Sequence, residues 1–425
     1  MTTETAGSPW AHPWVQLLIG VVCMACVANL QYGWTWFVDP LNAKYHWGRA
    51  AIQATFVAFV AVETWLIPVE GYLVDRFGPR WVIMSGSILV AGSWTLNSVA
   101  SSLTGLYVGA VLGGIGTGCV YGTCVGNALK WLPGRRGLAA GITAMGFGVG
   151  SAFTVSPLKS MIQTSGYEHT FLFFGIVQGG IVFVMSWLMQ VPPSRLAKSA
   201  VKANQTAHGY SPREVLRNPC FYVLYAMFVL VAAGGLTMAA SIVSIAADFK
   251  ISEVPVALFG FVAPAAVFAV QLNRIFDGIG RPAFGWLADQ IGRDYTMALA
   301  FLVGAGALFA LHRVGGNATA FVLITTIYFG VYGEIFSLFP ATSGDTFGAK
   351  YAAANAGMLY TAKGVGAVLV PVAAWISGSY GWGAVFSVAM TLNIIAGLTA
   401  LFVLRPLRLR HFANSRMEIA TARSA

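Results

Sequence analysis

Apolar runs alternate with short polar breaks from residue 14 to residue 405. Each run is close to the roughly 20 residues that a helix needs to cross a 30 Å hydrocarbon core. The pattern predicts twelve membrane-spanning helices, at 14–38, 50–73, 81–101, 104–130, 137–160, 169–191, 220–247, 254–287, 295–312, 317–341, 353–377 and 381–405. The expected fold class is therefore an all-α polytopic membrane protein. One long polar stretch divides the spans into two sets of six. This gives an N-terminal six-helix bundle over 1–191, a linker over 192–219, a C-terminal six-helix bundle over 220–405 and a tail over 406–425. Inside the linker, Ser211-Pro212-Arg213-Glu214 has the form of a capping box with proline at the first helical position, which starts a short surface helix.

Composition agrees with the pattern. Of 425 residues, 57% are hydrophobic and 9% charged, against about 25% charged residues in soluble domains. The segment Met1 to Pro13 has no Lys or Arg, and the apolar run behind it is too long for a signal-peptide core, so it is expected to be retained. Cys23, Cys26, Cys119, Cys124 and Cys220 fall mainly within spans and show no metal-ligand spacing; they read as small buried thiols. The net charge of +10 changes the picture only through its location. Arg76, Arg80, Lys130, Arg135, Arg136, Arg195, Lys198, Lys202, Arg213, Arg217, Arg293, Lys350, Arg405, Arg408 and Arg410 fall on one side of the twelve-span arrangement, with Lys44, Arg49 and Arg313 as exceptions. The positive-inside bias makes that side cytoplasmic, with both termini inside. Basic charge here sets orientation and gives no reason to expect nucleic acid.

The two sets of six echo each other. Gly71-Tyr-Leu-Val-Asp75-Arg76-Phe-Gly78-Pro-Arg80 follows span two, and Gly285-Trp-Leu-Ala-Asp289-Gln-Ile-Gly292-Arg293 follows span eight, the aspartates lying 214 positions apart. A second echo pairs the segment from Gly141 to Gly150 with that from Gly357 to Gly366, at an offset of 216. Parallel repeats of this kind are expected in secondary transporters. The two loops resemble those of the major facilitator superfamily, whose Gly-x-x-x-Asp-Arg/Lys-x-Gly-Arg/Lys motif recurs after spans two and eight. Asp75, Arg76, Arg80, Asp289 and Arg293 are accordingly read as gating or folding residues, able to cap helix ends and lock the cytoplasmic gate by charge.

Two cations stand inside the apolar spans. Arg281 precedes Asp289 by eight positions and Lys363 lies about ten positions into span eleven, so at 1.5 Å per residue both sit roughly 12–15 Å from the inner boundary. A cation at that depth is read as facing a cavity and needing an anionic partner, which is either the substrate or a neighbouring acid. Three acids are candidates. Arg274, Asp277 and Arg281 share one helical face; pairing Asp277 with Arg274 is the more economical choice, and the reverse pairing is open. Glu63 is the counterpart of Asp277 at the 214 offset, and Glu334 lies inside span ten. Lys363 replaces Phe147 in the repeat. Gln31, Tyr32 and Trp34 in span one, Gln53 in span two, Tyr121 in span four, Tyr332 and Phe336 in span ten and Tyr360 in span eleven supply amide and aromatic groups, which read either as packing or as the wall of a pocket for a small organic anion.

Asn29-Leu-Gln31-Tyr32-Gly-Trp34-Thr, Ala51-Ile-Gln53, Val120-Tyr121-Gly122, Gly280-Arg281-Pro282 and Tyr360-Thr-Ala-Lys363 resemble the bacterial oxalate:formate antiporter family, and the likeness covers all twelve spans. It implies that Arg281 and Lys363 bind the two carboxylates of oxalate, with Gln31, Gln53, Tyr32, Tyr121, Tyr332 and Tyr360 around them, in exchange for formate. The chain departs from that pattern at Tyr332, where a Trp is expected, and at Phe336, where a Tyr is; Asp277 and Glu334 add acidity. Asp277-Gly-Ile-Gly-Arg281-Pro282 is also similar to the Asp-x-x-x-Arg-Pro of proton-coupled monocarboxylate transporters, which makes proton symport of a monocarboxylate the alternative. No clustered nucleophile and base, phosphate loop or metal set points to an enzyme, and a non-transporting receptor is a further alternative. The expected partners are small organic anions and membrane lipid. No cofactor or metal is expected, and the protein is expected to act as a monomer in the bacterial inner membrane.

Overall fold

The computed structural model describes residues 10–193, 205–206, 208–258 and 260–424, with the backbone alone at 50, 152, 155, 156 and 416–424. The linker cations Arg195, Lys198 and Lys202 and the first nine residues of the N-terminal segment lie outside the described residues. Among the described residues, nine helices are long and apolar enough to cross a membrane, or ten if the bent pair in span two counts as one span. The other two expected spans are the first arm of the helix Arg136–Leu188, which breaks at Gly166 (φ 82°), and the charged helix Ala265–Ile291.

Several spans are built from two helices. Span one is Pro13–Tyr32, followed after Gly33 by Thr35–Tyr45. Span two bends by 45° between Trp65 and Ile67, where Pro68 removes a helical donor. Span ten breaks between Ala318–Tyr332 and Ile335–Phe347, and span eleven between Ala352–Val368 and Val370–Tyr380. Span four is the unbroken helix Leu103–Trp131, span seven is Pro219–Asp248 and span nine is Arg293–Val314.

Two boundaries differ from expectation. Span eight begins at Ala265 and not near 254, because Pro255–Leu258 (β1) and Phe261–Pro264 (β2) form an antiparallel hairpin. The prolines at both ends and Gly260 at φ 81° favour a tight turn over a continued helix. At the other extreme, span twelve (Trp382–Thr399) does not end in a separate tail: a π-helical turn, Ala400–Leu404, carries it directly into the helix Arg405–Ser424. The capping box at Ser211 starts the helix Pro212–Val215, with the Ser211 hydroxyl and amide both donating to Glu214 Oε2 and holding that carboxyl below its usual range.

The six spans before the linker meet the six after it chiefly through span five against spans eight and ten, and span eleven against spans two and four. Two glycines permit the approach. A Cβ on Gly71 would run into the backbone of Ala353 and Ala354, and one on Gly285 into the backbone of Gly137 and Leu138. These are repeat-related positions. The outward surface of the spans carries large apolar side chains, among them Phe153, Trp375 and Phe402, as a lipid-facing surface requires.

Candidate functional site

Span eight is amphipathic because Arg274, Asp277 and Arg281 stand on one face. Arg281 is 2% exposed. It donates from Nη2 to Asp277 Oδ2 at 2.7 Å and from Nη1 to the Ala144 carbonyl in span five at 2.8 Å. Asp277 thus pairs with Arg281, which corrects the more economical assignment to Arg274. Burial decides it: an unpaired guanidinium at the position of Arg281 would carry a large desolvation cost. Arg274 is half-buried and lies over the Tyr32 ring, 4.5 Å from its centroid.

Lys363 is 4% exposed. Its Nζ donates to Tyr360 Oη at 3.0 Å and stands 3.5 Å from Oε2 of Glu63, in the opposite half. Glu63 is fully buried, and neither of its oxygens has a hydrogen-bond partner. Both cations face one ring: the Arg281 guanidinium lies 4.4 Å and Lys363 Nζ 5.9 Å from the centroid of Phe336.

A connected aromatic wall runs outward from that ring. Phe336 meets Tyr332 at 6.0 Å and Tyr360 at 6.2 Å; Tyr360 meets Tyr121 at 4.9 Å. Tyr121 meets Phe147 at 5.5 Å, and Phe147 meets Tyr32 at 5.4 Å. Phe147, read from the sequence only as the counterpart of Lys363, is part of the wall.

Two expected residues, Trp34 and Gln53, stand elsewhere. Trp34 lies on the continuing helical path after Gly33 (φ −84°) but faces into the first half, where it packs on Phe171 and lines a small cavity with Asn29, Thr55 and Asn97. Gln53 is exposed, ten residues and so about 15 Å of helix from Glu63. Glu334 is fully buried at the break in span ten, with no hydrogen-bond partner for either oxygen. Gln31 is half-buried and its Oε1 is unpartnered.

The end of the bundle nearest the linker is closed by polar contacts between the halves. Asp75 pairs with Lys130 and accepts the backbone N–H of Ala354 at 3.0 Å. Asp289 accepts the N–H groups of Gly137 and Leu138 at 3.1 and 2.9 Å. Each carboxylate caps the first turn of a span in the other half, where orphan amides and the helix dipole favour an anion. Arg136 pairs with Asp345 at 2.9 Å, and Arg293 joins Asp345 and Asp289 at 2.9 and 2.7 Å. The linker adds Gln205, which donates to Asp345 at 2.7 Å, and the C-terminal helix adds Arg408, which pairs with Asp294 at 2.7 Å. Arg76 is exposed beside Phe77, and Arg80 lies over Trp187; neither joins this network through an ion pair.

Among the described residues, the ion pairs and hydrogen bonds between the halves run from Lys363 and Arg281 to the linker end. Across the remaining interface, the contact of Arg274 with Tyr32 is of cation–π type. Sequence reasoning missed Arg136, Lys130 and Asp345 as gate residues. The repeat held the signal: the 216 offset maps Leu138 onto Ala354, the two amides capped from opposite halves.

Comparison with known proteins gives the same architecture. The pattern of the Major Facilitator Superfamily matches residues 17–371. The chain is 30% identical over 393 residues to the oxalate:formate antiporter of Oxalobacter formigenes, covering 92% of this chain and 91% of that protein. It is 27% identical over 292 residues to monocarboxylate transporter 13 of Bos taurus, covering 67% and 65%. The fucose:proton symporter FucP of E. coli superposes with a TM-score of 0.66 at 16% identity, over 90% of this chain and 97% of that one.

Proposed function

Because the chain belongs to the Major Facilitator Superfamily, we propose that this membrane transporter exchanges small carboxylate anions by alternating access, oxalate entering as formate leaves. The observation that carries the reading is the convergence of two buried cations from separate spans on the ring of Phe336. A two-ended anion held there would bridge Arg281 and Lys363, one carboxylate taking the place of Glu63 at Lys363 and the other meeting the guanidinium beside Asp277. Tyr121, Tyr360, Tyr32, Tyr332 and Phe336 would exclude water and larger ligands, with Gln31 as an amide donor. The similarity to the oxalate:formate antiporter supports the pair of substrates.

The two six-helix halves act as the moving units. With the linker end closed, the site is served from the other side; opening the linker end requires release of Arg136 from Asp345 and of the Asp75 and Asp289 caps. The linker end faces the cytoplasm of a bacterial inner membrane, as its cations require. The chain works as a monomer and not as an enzyme. Reconstituted protein should take up labelled oxalate only into vesicles preloaded with oxalate or formate. Equal uptake into empty vesicles would remove exchange.

A second reading is favoured by one feature, the buried i,i+4 pair of Asp277 and Arg281, together with the similarity to monocarboxylate transporter 13. In that reading a monocarboxylate moves with a proton. An inward proton gradient would then drive lactate or pyruvate accumulation in empty vesicles, and no accumulation would exclude it.

A further inference from the structure

Apart from Arg274, which lies over Tyr32 at the far side, the charges at the deep end of the site are paired before any anion arrives. Arg281 has Asp277 and Lys363 has Glu63. Glu334, at the break in span ten, pairs with neither cation. An incoming anion therefore meets cations that already hold carboxylates. Without compensation, a monoanion would leave one unbalanced negative charge in a buried site, and a dianion two.

The two pairs are unequal. Asp277 is hydrogen-bonded to Arg281 at 2.7 Å within one helix. Glu63 approaches Lys363 only to 3.5 Å, has no hydrogen bond to either oxygen and reaches across the two halves. The looser contact is the one a substrate carboxylate displaces. Once displaced, the Glu63 carboxylate has no solvated position to move to, because it is fully buried near the bend of span two. The groups facing it are Lys363 and Tyr360 from span eleven and Glu70 two turns along its own span; span four packs there through the Gly114 backbone. None of these supplies a second cation.

We propose that Glu63 determines which anions the site accepts by carrying a proton: a substrate carboxylate takes Lys363 Nζ from Glu63, and Glu63 becomes the neutral acid. The step forms one O–H bond on the Glu63 carboxylate and breaks one on a hydronium ion of the bulk solution, which is left as water; the proton enters along the path that the anion takes. Each anion bound at Lys363 is thus accompanied by one proton, whether it is oxalate or formate. This rests on the carboxylate-exchange reading above. Glu63 acts as an internal competitor, so anions too weak to displace it are rejected even where they fit.

The test is binding of labelled oxalate and of labelled formate to the purified full chain between pH 5 and 8, with proton uptake followed by an indicator dye in weak buffer. Wild type should take up about one proton per anion, and its Kd should rise by up to about tenfold per pH unit where Glu63 is ionised in the free protein. Glu63→Gln should take up none, lose the pH slope and bind oxalate at least about tenfold more tightly than wild type at pH 8. Anion binding by wild type without proton uptake overturns this inference alone, as does a Glu63→Gln protein that keeps the slope. Absence of oxalate and formate binding at every pH removes the exchange reading, and this inference with it.

Discussion

Arg136 in the first half and Asp345 in the second are joined at 2.9 Å, each side chain only 6% exposed. Asp345 also receives Arg293 and Gln205, so one carboxylate holds together both halves and the linker. Breaking a buried pair by removing one partner costs about 3–5 kcal/mol. Asp345→Ala should therefore favour the state open at the linker end. A cysteine placed at Ala353, buried at that interface, in a background without the native thiols, should react with a maleimide at least about tenfold faster in Asp345→Ala, a difference of about 1.4 kcal/mol. Arg76→Ala, at an exposed position, should leave the rate unchanged; equal rates in all three proteins would show that the pair does not hold the gate.

Gly285 and Gly137 approach backbone to backbone, and a methyl group on Gly285 has nowhere to go. Gly285→Ala should fold, since the clash lies between the halves, yet lose at least about tenfold in exchange rate because the linker end can no longer close fully. Gly180→Ala in span six, where a Cβ would meet open space, should stay within about twofold of wild type. Melting temperature and vesicle exchange measured together separate a gating defect from a folding one.

Lys363→Ala leaves the Glu63 carboxylate buried with no cation. The expected destabilisation is about 3–5 kcal/mol, and the paired change Lys363→Ala with Glu63→Gln should recover most of it. Oxalate exchange should be lost in both. A double variant no more stable than the single one would mean that the 3.5 Å contact carries little energy.

Tyr32 and Arg274 test the far side of the site. A cation–π contact of this kind contributes about 0.5–2 kcal/mol, so Tyr32→Leu should slow exchange by about twofold to thirtyfold while Tyr32→Phe keeps most of the rate. Arg274→Ala should resemble Tyr32→Leu, and the double change should be no worse than either alone. Additive losses would show that the two side chains act separately.

The spans, the repeat and the burial of Arg281 and Lys363 were legible in the sequence because each depends on local pattern: apolar length, an echoed loop, a cation within an apolar run. The partners of the charges were not. Asp277 lies three residues after Arg274 and four before Arg281, so spacing admits both pairs, and only the burial of Arg281 against Ala144 selects one. Glu63 meets Lys363 from 300 positions away, a contact created by packing one half on the other. Gln53 was grouped with the site because an amide in an apolar span needs partners, but the structure leaves it exposed. Trp34 stands two positions after Tyr32, and spacing alone does not say which of the two faces the other half; the packing of Trp34 on Phe171 decides it.

Span twelve runs without a break into the helix Arg405–Ser424, which Arg408 fastens to Asp294 and Thr346 in the second half. Twenty residues of helix make a rod about 30 Å long. Such a rod behaves as a pointer: about ten degrees of tilt in the second half sweeps its tip through about 5 Å, so a fluorophore near the C-terminus and another on the first half would read each cycle of a single molecule as a change in energy transfer.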